Sequence, residues 1–170
     1  MPTLVHIDVE KNQIGQKFTP EVGLVGDAVE CLDSLISKVD MPSIDRGQRS
    51  ERAVSLKEEF SKEVSRLAPE QVSVIDKISS ALTHDTIVVQ GMTNIGYWSC
   101  EALPMSEPRN YVSSSYFGTL GYVYPTALGS QAAFPDRPVV ALCGDGGFMY
   151  SPQELSTAVK YGLNTIALVF

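Results

Sequence analysis

The chain has 170 residues, of which 44% are hydrophobic, and its formal net charge at pH 7 is −7. That length suffices for one domain with a real core, or for one domain plus a fragment of another. The negative charge argues against a nucleic-acid or anionic-membrane surface, so an anionic ligand would need local help from backbone amides or a metal ion.

The cysteines and the apolar stretches indicate the cellular compartment. Cys31, Cys100 and Cys143 are odd in number, widely spaced and form no CxxC pair, so neither a disulfide framework nor a zinc site is indicated. This usage fits a reducing compartment, and we expect a cytoplasmic protein. No apolar stretch approaches the ~20 residues of a membrane span, and the first residues do not resemble a signal peptide.

The first forty residues contain one predicted strand and one predicted helix. Residues 3–9 (TLVHIDV) predict a short buried strand, and a turn-rich stretch follows. From Asp27 the pattern DAVECLDSLISKV places apolar side chains on one helical face, with Asp27 as a plausible N-cap. One strand and one helix cannot bury each other's faces as a free domain. We therefore predict that residues 1–40 are the tail of a domain.

Residues 41–68 are predicted to be a linker that carries a surface helix. Residues 40–52 are polar and charged and include a proline and a glycine, a composition typical of a linker. Residues 53–67 predict a charged surface helix. A new unit, residues 69–170, is expected to begin at Pro69, because proline suits the first turn of a helix.

This unit alternates between predicted helices and strands. Helices are expected over residues 69–82, 95–103, 125–134 and 151–161, and strands over residues 86–90, 111–115, 138–143 and 165–170. Ser151 to Glu154 match a capping box with proline at the first helical position, and Gly162 supplies the helix stop. The alternation predicts an α/β fold, a parallel sheet with helices on both faces. In such folds ligands bind at the carboxyl ends of the strands.

Two predicted loops, residues 91–94 and 144–147, lie at that edge of the sheet. In GDGG, the backbone N–H groups of Gly146 and Gly147 can bind phosphate oxygens. Asp145 can hold Mg²⁺, which prefers one or two carboxylates together with phosphate oxygens and water. Taken alone, these four residues favour the alternative of a tight turn with a capping aspartate, because short glycine motifs are weak evidence. No Lys-Ser/Thr follows, and position 149 is Met, so neither a P-loop nor the dinucleotide fingerprint is present.

A second glycine cluster, GTLGYVYPTALG, begins at Gly118. It is followed by a strand, by GDGG, by a helix with Gln-Glu-Leu and by an apolar strand. This order resembles the diphosphate-binding domain of thiamine-diphosphate-dependent 2-oxo-acid enzymes, in particular the acetolactate synthase and benzoylformate decarboxylase group. The resemblance covers about residues 69–170. HIDVEKNQIGQ and VGDAVECLDSLI are similar to the end of that group's central domain.

The resemblance implies thiamine diphosphate and Mg²⁺ as cofactors, with FAD as a further cofactor of some members. Asp145 would be the metal ligand, and its partner would come from an Asn-Asn pair expected directly after Phe170. Gly146 and Gly147 would belong to the diphosphate site. The chain is therefore expected to be a piece of a longer parent protein, with an incomplete cofactor domain.

Further site residues are implied by the same resemblance. Leu120 holds the position of the bulky side chain that keeps the cofactor bent; the alternative is a core leucine. The backbones of Gly118 and Leu120 would bind the aminopyrimidine. Thr93 and Asn94 would meet the diphosphate, and the alternative for them is a plain helix N-cap.

The function implied by the resemblance is decarboxylation of a small 2-oxo acid coupled to carboligation, as in acetolactate synthase. The alternatives are a 2-oxo-acid decarboxylase of the benzoylformate type and a non-catalytic module that retains the fold. A generic nucleotide-binding domain would need a base or ribose fingerprint, and none is present. The family's activating glutamate lies in an amino-terminal domain, so no catalytic residue is expected here and the chain alone should be inactive. The parent is expected to be a homo-oligomer, a dimer or tetramer.

Overall fold

The computed structural model describes residues 3–39, 46–114 and 117–170. By their contacts the residues divide into two compact units, Met1–Ser50 and Glu51–Phe170. Two predicted stretches lie partly outside the described residues, namely the linker over residues 40–45 and the end of the predicted strand at Ser115. No helix within the described ranges is both long and apolar enough to cross a membrane.

The described residues of the first unit include two parallel strands, a 3-10 helix (Lys11–Gln13) and an α-helix. Strand β1 (Val5–Asp8) pairs with β2 (Val22–Val25), and helix α1 (Ala28–Lys38) follows. The predicted N-cap is confirmed, because Asp27 Oδ1 accepts a hydrogen bond from the backbone N–H of Val29 at 2.8 Å. Strand β2 was not predicted.

Strand β2 could not be predicted from the sequence because it contains a glycine, a residue that is typical of turns. A Cβ on Gly23 would lie only 2.7 Å from Ile14 Cγ2, so the glycine admits the Ile14 side chain against the strand. None of the described residues of this unit is buried. Val29 and Ile36 of α1 are 66% and 71% exposed. Within the described residues, these elements therefore form no core of their own.

The predicted surface helix over residues 53–67 is confirmed, but it begins earlier than predicted. Helix α2 (Arg46–Leu67) begins within the stretch predicted to be linker, because its polar residues 46–52 are compatible with a helix. Near its end Val64 and the following Ala68 are buried. Helix α3 (Pro69–Ala81) begins at the predicted proline and buries Ile75 completely.

A four-stranded parallel sheet is the centre of the second unit, as predicted. Its order is β4-β3-β5-β6, so the two central strands are β3 and β5, whose residues are all buried. The strands are β3 (Ile87–Gln90), β4 (Tyr111–Ser113), β5 (Val139–Cys143) and β6 (Ile166–Val169). The remaining helices are α4 (Asn94–Ala102), α5 (Val123–Ala133), α6 (Asp145–Phe148) and α7 (Glu154–Tyr161).

Helices cover both faces of this sheet, which confirms the predicted fold class. On one face Ile75 of α3 and Ile95 of α4 pack with Val88 and Leu142 of the central strands. On the other face α5 packs on the sheet with Val123, Ala127 and Leu128. The central strands are buried on both sides, which is why they are continuous apolar runs in the sequence.

The main differences from the predicted element boundaries lie at α5, at α7 and in the loop after β5. Helix α5 begins at Val123, two residues before Pro125; a proline in the first turn is tolerated, since those N–H groups have no partner within the helix. The predicted capping box at Ser151 is wrong: α7 has Gln153 as its N-cap, without a side-chain cap bond. The predicted loop over residues 144–147 contains the start of α6. Gly162 ends α7 in the left-handed conformation, as predicted (φ 63°).

Candidate functional site

The segments that follow the two central strands meet at the carboxyl edge of the sheet. The backbone N–H of Gly91 donates to the carbonyl of Leu142 at 2.9 Å, which extends the pairing of β3 and β5 to the start of both segments. A Cβ on Gly144 would lie 3.2 Å from Thr93 Cβ and 3.4 Å from the carbonyl oxygen of Met92. The structure therefore brings residues 91–94 and 144–147 into direct contact.

A third segment, residues 118–121, joins them. All three segments line a cavity of about 10 Å³, which is roughly the space that one water molecule needs. Its lining includes Gly91, Met92, Leu120, Gly121, Cys143, Gly144 and Gly147. A ligand of cofactor size can therefore bind only over the rim of these segments and not inside the cavity.

Asp145 is the first residue of α6, directly after β5. Its backbone N–H donates to the carbonyl of Phe170 at 3.0 Å, so the end of β6 lies beside it. Its side chain is exposed, and Oδ1 accepts from the N–H of Gly146 at 2.7 Å. No group of three or more His, Cys, Asp or Glu side chains suited to a metal ion occurs among the described residues. This part of the chain therefore offers a cation one carboxylate.

The fold itself does not require glycine at positions 146 and 147. A Cβ on Gly146 would meet nothing within 4 Å, and one on Gly147 would have its nearest neighbours at 3.9 Å. Neither residue has a positive φ. Two adjacent glycines, of which Gly146 lies in open space, form beside an exposed carboxylate a cradle that a phosphate group can approach closely. This cradle fits the diphosphate predicted from the sequence.

Thr93 and Asn94 lie at the start of α4. Thr93 is the N-cap residue, with an extended backbone, but its side chain makes no capping hydrogen bond. Asn94 is the first helical residue and is exposed. Capping therefore does not account for the Thr93 hydroxyl, and both polar side chains belong to the segment that contacts Gly144.

Leu120 is not a core residue. Its side chain is 44% exposed, and its Cδ2 lies 3.9 Å from the position that a Cβ of Gly147 would take. The glycines on either side have left-handed backbones, with φ of 57° at Gly118 and 82° at Gly121. These values explain both glycines, because L residues rarely adopt them. The loop thus carries an apolar side chain to the edge of the glycine cradle.

Two side chains hold this loop: that of Tyr122, which the sequence analysis did not single out, and that of Ser151, which it singled out only as part of a capping box. The hydroxyl of Tyr122 donates to the carbonyl of Gln90 at the end of β3, and burial raises the pKa of this tyrosine. The hydroxyl of Ser151 donates to the carbonyl of Gly121 at 3.3 Å. The partners are 32 and 30 residues apart in the chain. No local pattern signals such contacts.

The floor of the site is apolar and uncharged. Cys143, the last residue of β5, is 2% exposed, and burial raises the pKa of its thiol to about 11. The thiol is therefore neutral at physiological pH, and the residue packs in the core beneath the site. The charged group at this edge that the structure places next to the glycines is the carboxylate of Asp145.

Comparison with known proteins identifies relatives of this domain. The family described as "Thiamine pyrophosphate enzyme, C-terminal TPP binding domain" matches residues 91–170. The acetolactate synthase large subunit of Corynebacterium glutamicum is 32% identical over 167 residues, which cover 94% of this chain and 26% of the relative. A probable 2-ketoarginine decarboxylase of Pseudomonas aeruginosa is 31% identical over 155 residues, or 91% of this chain and 28% of the relative. The chain thus spans less than a third of the length of either.

Proposed function

Because the chain belongs to the thiamine pyrophosphate enzyme family, with residues 91–170 matching its C-terminal TPP binding domain, we propose that the whole protein uses thiamine diphosphate to act on a small 2-oxo acid. The observation that carries the proposal is the cradle of Gly146 and Gly147. These glycines have no packing reason of their own, and they lie beside an exposed carboxylate where the ends of β3 and β5 meet.

The diphosphate is proposed to lie over the start of α6. The N–H of Gly147 would donate to its oxygens, and the N–H of Gly146 would do so in exchange for its bond to Asp145 Oδ1. The polar side chains of Thr93 and Asn94 would contact the diphosphate from the neighbouring segment. When bound, the cofactor supplies the carbanion chemistry that decarboxylation of a 2-oxo acid requires, and the protein supplies position and electrostatics.

Asp145 is proposed to hold Mg²⁺ against the diphosphate. One carboxylate beside phosphate oxygens is the set of ligands that Mg²⁺ prefers, but the shell needs further oxygens. The carbonyl of Phe170 accepts from the N–H of Asp145 at 3.0 Å. An asparagine directly after Phe170, as the resemblance implies, would begin next to the carboxylate and would supply the second protein ligand.

Leu120 is proposed to keep the cofactor in its bent shape. It is half-exposed at the rim of the cradle and lies close to Gly147. The backbone groups of Gly118 and Leu120 are proposed to bind the aminopyrimidine ring. One loop would then position the ring that carries the proton-transferring amino group, and α6 would position the diphosphate.

The proposed reaction is decarboxylation followed by carboligation, as the names of the acetolactate synthase relatives suggest. The second candidate is decarboxylation without carboligation, which the relative named as a 2-ketoarginine decarboxylase favours. Both begin with loss of CO₂ from a 2-oxo acid, so CO₂ release alone does not separate a transferase from a lyase.

The test is an assay of the full-length protein with thiamine diphosphate and Mg²⁺. Pyruvate and a basic 2-oxo acid are supplied in turn, and CO₂, aldehyde and acetolactate are measured. Acetolactate from pyruvate supports the carboligation proposal, and aldehyde and CO₂ without acetolactate support the decarboxylase. A folded full-length protein that does not bind the cofactor would overturn both.

The same preparation tests two further proposals about the parent protein. We propose that it is a homo-oligomer, a dimer or tetramer, and light scattering gives its mass in solution. FAD would show as a flavin absorption spectrum of the purified protein. A monomer that turns over at the full rate would contradict the oligomer proposal.

A further inference from the structure

Two segments that are distant in the chain meet at Gly121. The carbonyl of Gly121 accepts a hydrogen bond from Ser151 Oγ at 3.3 Å. A Cβ on Gly121 would lie 2.6 Å from Tyr150 Cβ, so the neighbouring tyrosine is packed directly against the glycine. The turn that follows α6 therefore holds the loop that carries Leu120 from two sides.

The backbone of Ser151 is itself fixed at both ends. Its N–H donates to the carbonyl of Phe148 in α6, and its carbonyl accepts from the N–H of Glu154 in α7, each at 3.1 Å. The residue is 8% exposed. The N-cap of α7 is Gln153, which makes no side-chain cap bond, so the Ser151 hydroxyl does not cap this helix. The contact with Gly121 is what this hydroxyl does in the structure.

The same short stretch also carries the glycine cradle. Helix α6 begins with Asp145 and ends at Phe148, whose ring packs edge-on against Tyr124 of α5 with centroids 5.3 Å apart. The stretch from Asp145 to Ser151 therefore has the cradle at one end and the hold on Gly121 at the other. A rigid connection of this kind fixes where Leu120 lies relative to Gly147.

We propose that Ser151 is a positioning residue, which holds the Gly121 carbonyl and so sets the place of Leu120 relative to Gly146 and Gly147. This proposal rests on the proposed function, in which Leu120 and the cradle bind the same cofactor. Ser151 acts through Gly121 and need not touch the cofactor. Misplacing Leu120 would weaken cofactor binding although every contacting residue remained.

The first test is Ser151→Ala in the full-length protein. Loss of one hydroxyl–carbonyl bond should weaken thiamine diphosphate binding in the presence of Mg²⁺ by roughly three- to tenfold. Hydrogen exchange of the amides of residues 117–121 should become faster in the free protein. Ser151→Thr keeps the hydroxyl and should restore both values toward those of the wild type.

Ser130→Ala is the matched control. Ser130 Oγ makes the same kind of bond, to the carbonyl of Thr126 at 2.9 Å, but within α5 and part-buried. In this variant the cofactor Kd and the exchange of residues 117–121 should stay unchanged, and the melting temperature should change little, because alanine has the higher helix propensity. An equal loss of affinity in both variants would mean that general destabilisation is the cause, and would overturn the role of Ser151.

The second test is a double-mutant cycle with Leu120→Ala. If Ser151 acts through Leu120, Ser151→Ala should weaken binding much less in the Leu120→Ala background than in the wild type. Full additivity would overturn the proposed route. A wild-type protein that does not bind thiamine diphosphate would overturn the proposed function, and this role with it. A wild type that binds, with Ser151→Ala binding equally well, would overturn only the role of Ser151.

Discussion

The segments after the two central strands are both rich in glycine, but for different physical reasons. After β3, a Cβ on Gly91 would lie 2.7 Å from both the carbonyl of Leu142 and Val123 Cγ2, and one on Gly96 would lie 2.1 Å from the carbonyl of Gly91. After β5, a Cβ on Gly146 would meet nothing and one on Gly147 would make only ordinary contacts. The first segment needs glycine in order to pack, whereas in the second segment this holds for Gly144 but not for Gly146 and Gly147.

This difference separates glycines that serve the fold from glycines that serve a ligand. A glycine whose missing side chain would clash with backbone is explained without any ligand. A glycine in open space, with an ordinary φ, lowers helix propensity without any gain in packing. Openness alone does not indicate a ligand, because Gly129 inside α5 is equally open. Gly146 and Gly147 differ from Gly129 in that they lie beside an exposed carboxylate at the carboxyl edge of the sheet. The comparison therefore supports the proposal that the cradle binds the cofactor, and it explains Gly91 and Gly96 by packing alone.

The largest effect is expected for Gly91→Ala. The new methyl group would clash with a backbone carbonyl and a core valine, and overpacking of this kind costs about 3 kcal/mol at the upper end of its usual range. Denaturant unfolding of the full-length protein measures the loss. Gly129→Ala is the matched control, because a Cβ there meets nothing within 4 Å and the residue lies in α5. That variant should be unchanged or about 0.5–1 kcal/mol more stable.

A Gly91→Ala protein as stable as the wild type would break the comparison, since the packing argument for this segment would then be wrong. A stable variant that had lost cofactor binding would move Gly91 from the scaffold to the site.

The second largest effect is expected for Asp145→Ala, and it should appear in binding and not in stability. Loss of a charged partner costs about 1.5–3 kcal/mol, so cofactor affinity with Mg²⁺ should fall by roughly 10- to 100-fold. The exposed side chain makes no core contact, and the bond to Phe170 uses the backbone N–H, so the free protein should remain folded.

Calorimetric titration with thiamine diphosphate at fixed Mg²⁺ measures the Asp145→Ala effect. Asp136→Ala serves as its control, because Asp136 is an exposed aspartate in the turn that precedes β5, at the opposite end of that strand. Equal affinities of Asp145→Ala and wild type would show that this carboxylate does not hold the metal.

Leu120→Ala should have a smaller effect, and again this effect should appear more in cofactor binding or turnover than in stability. Full burial of a leucine is worth about 1.5–3 kcal/mol, and this side chain is 44% exposed, so its truncation should cost the free protein about 1 kcal/mol or less. Cofactor affinity or turnover should fall by more than that. Melting curves of the free protein, set beside turnover at low temperature, separate the two. Early melting with normal turnover would return Leu120 to a packing role.

The sequence predicted the scaffold better than the site. Buried apolar runs such as residues 139–143 alternate with helices, and this pattern is sufficient to predict a parallel sheet covered on both faces. It did not predict β2, where Gly23 looks like a turn residue but admits Ile14. Nor did it separate the glycines of the two segments, because their difference lies in neighbours from distant elements. The contact of Ser151 with Gly121 was concealed behind a capping-box pattern that the structure does not form.

The smallest effect on stability is expected for Gly146→Ala, and it tests the comparison of the two segments most directly. The substitution should stabilise the free protein but reduce the stabilisation that the bound ligands provide. In the free protein the added methyl group meets nothing within 4 Å and replaces a glycine inside α6, so stability should rise by up to about 0.5–1 kcal/mol. In the complex the same methyl group would stand where a diphosphate oxygen is proposed to approach the N–H of this residue, so the stabilisation by thiamine diphosphate and Mg²⁺ should shrink. Melting temperatures with and without the ligands measure both effects on one preparation. The control Gly129→Ala should raise the melting temperature of the free protein without reducing the ligand-induced shift. If Gly146→Ala keeps the full ligand-induced shift, the open space above this glycine is not where the diphosphate binds.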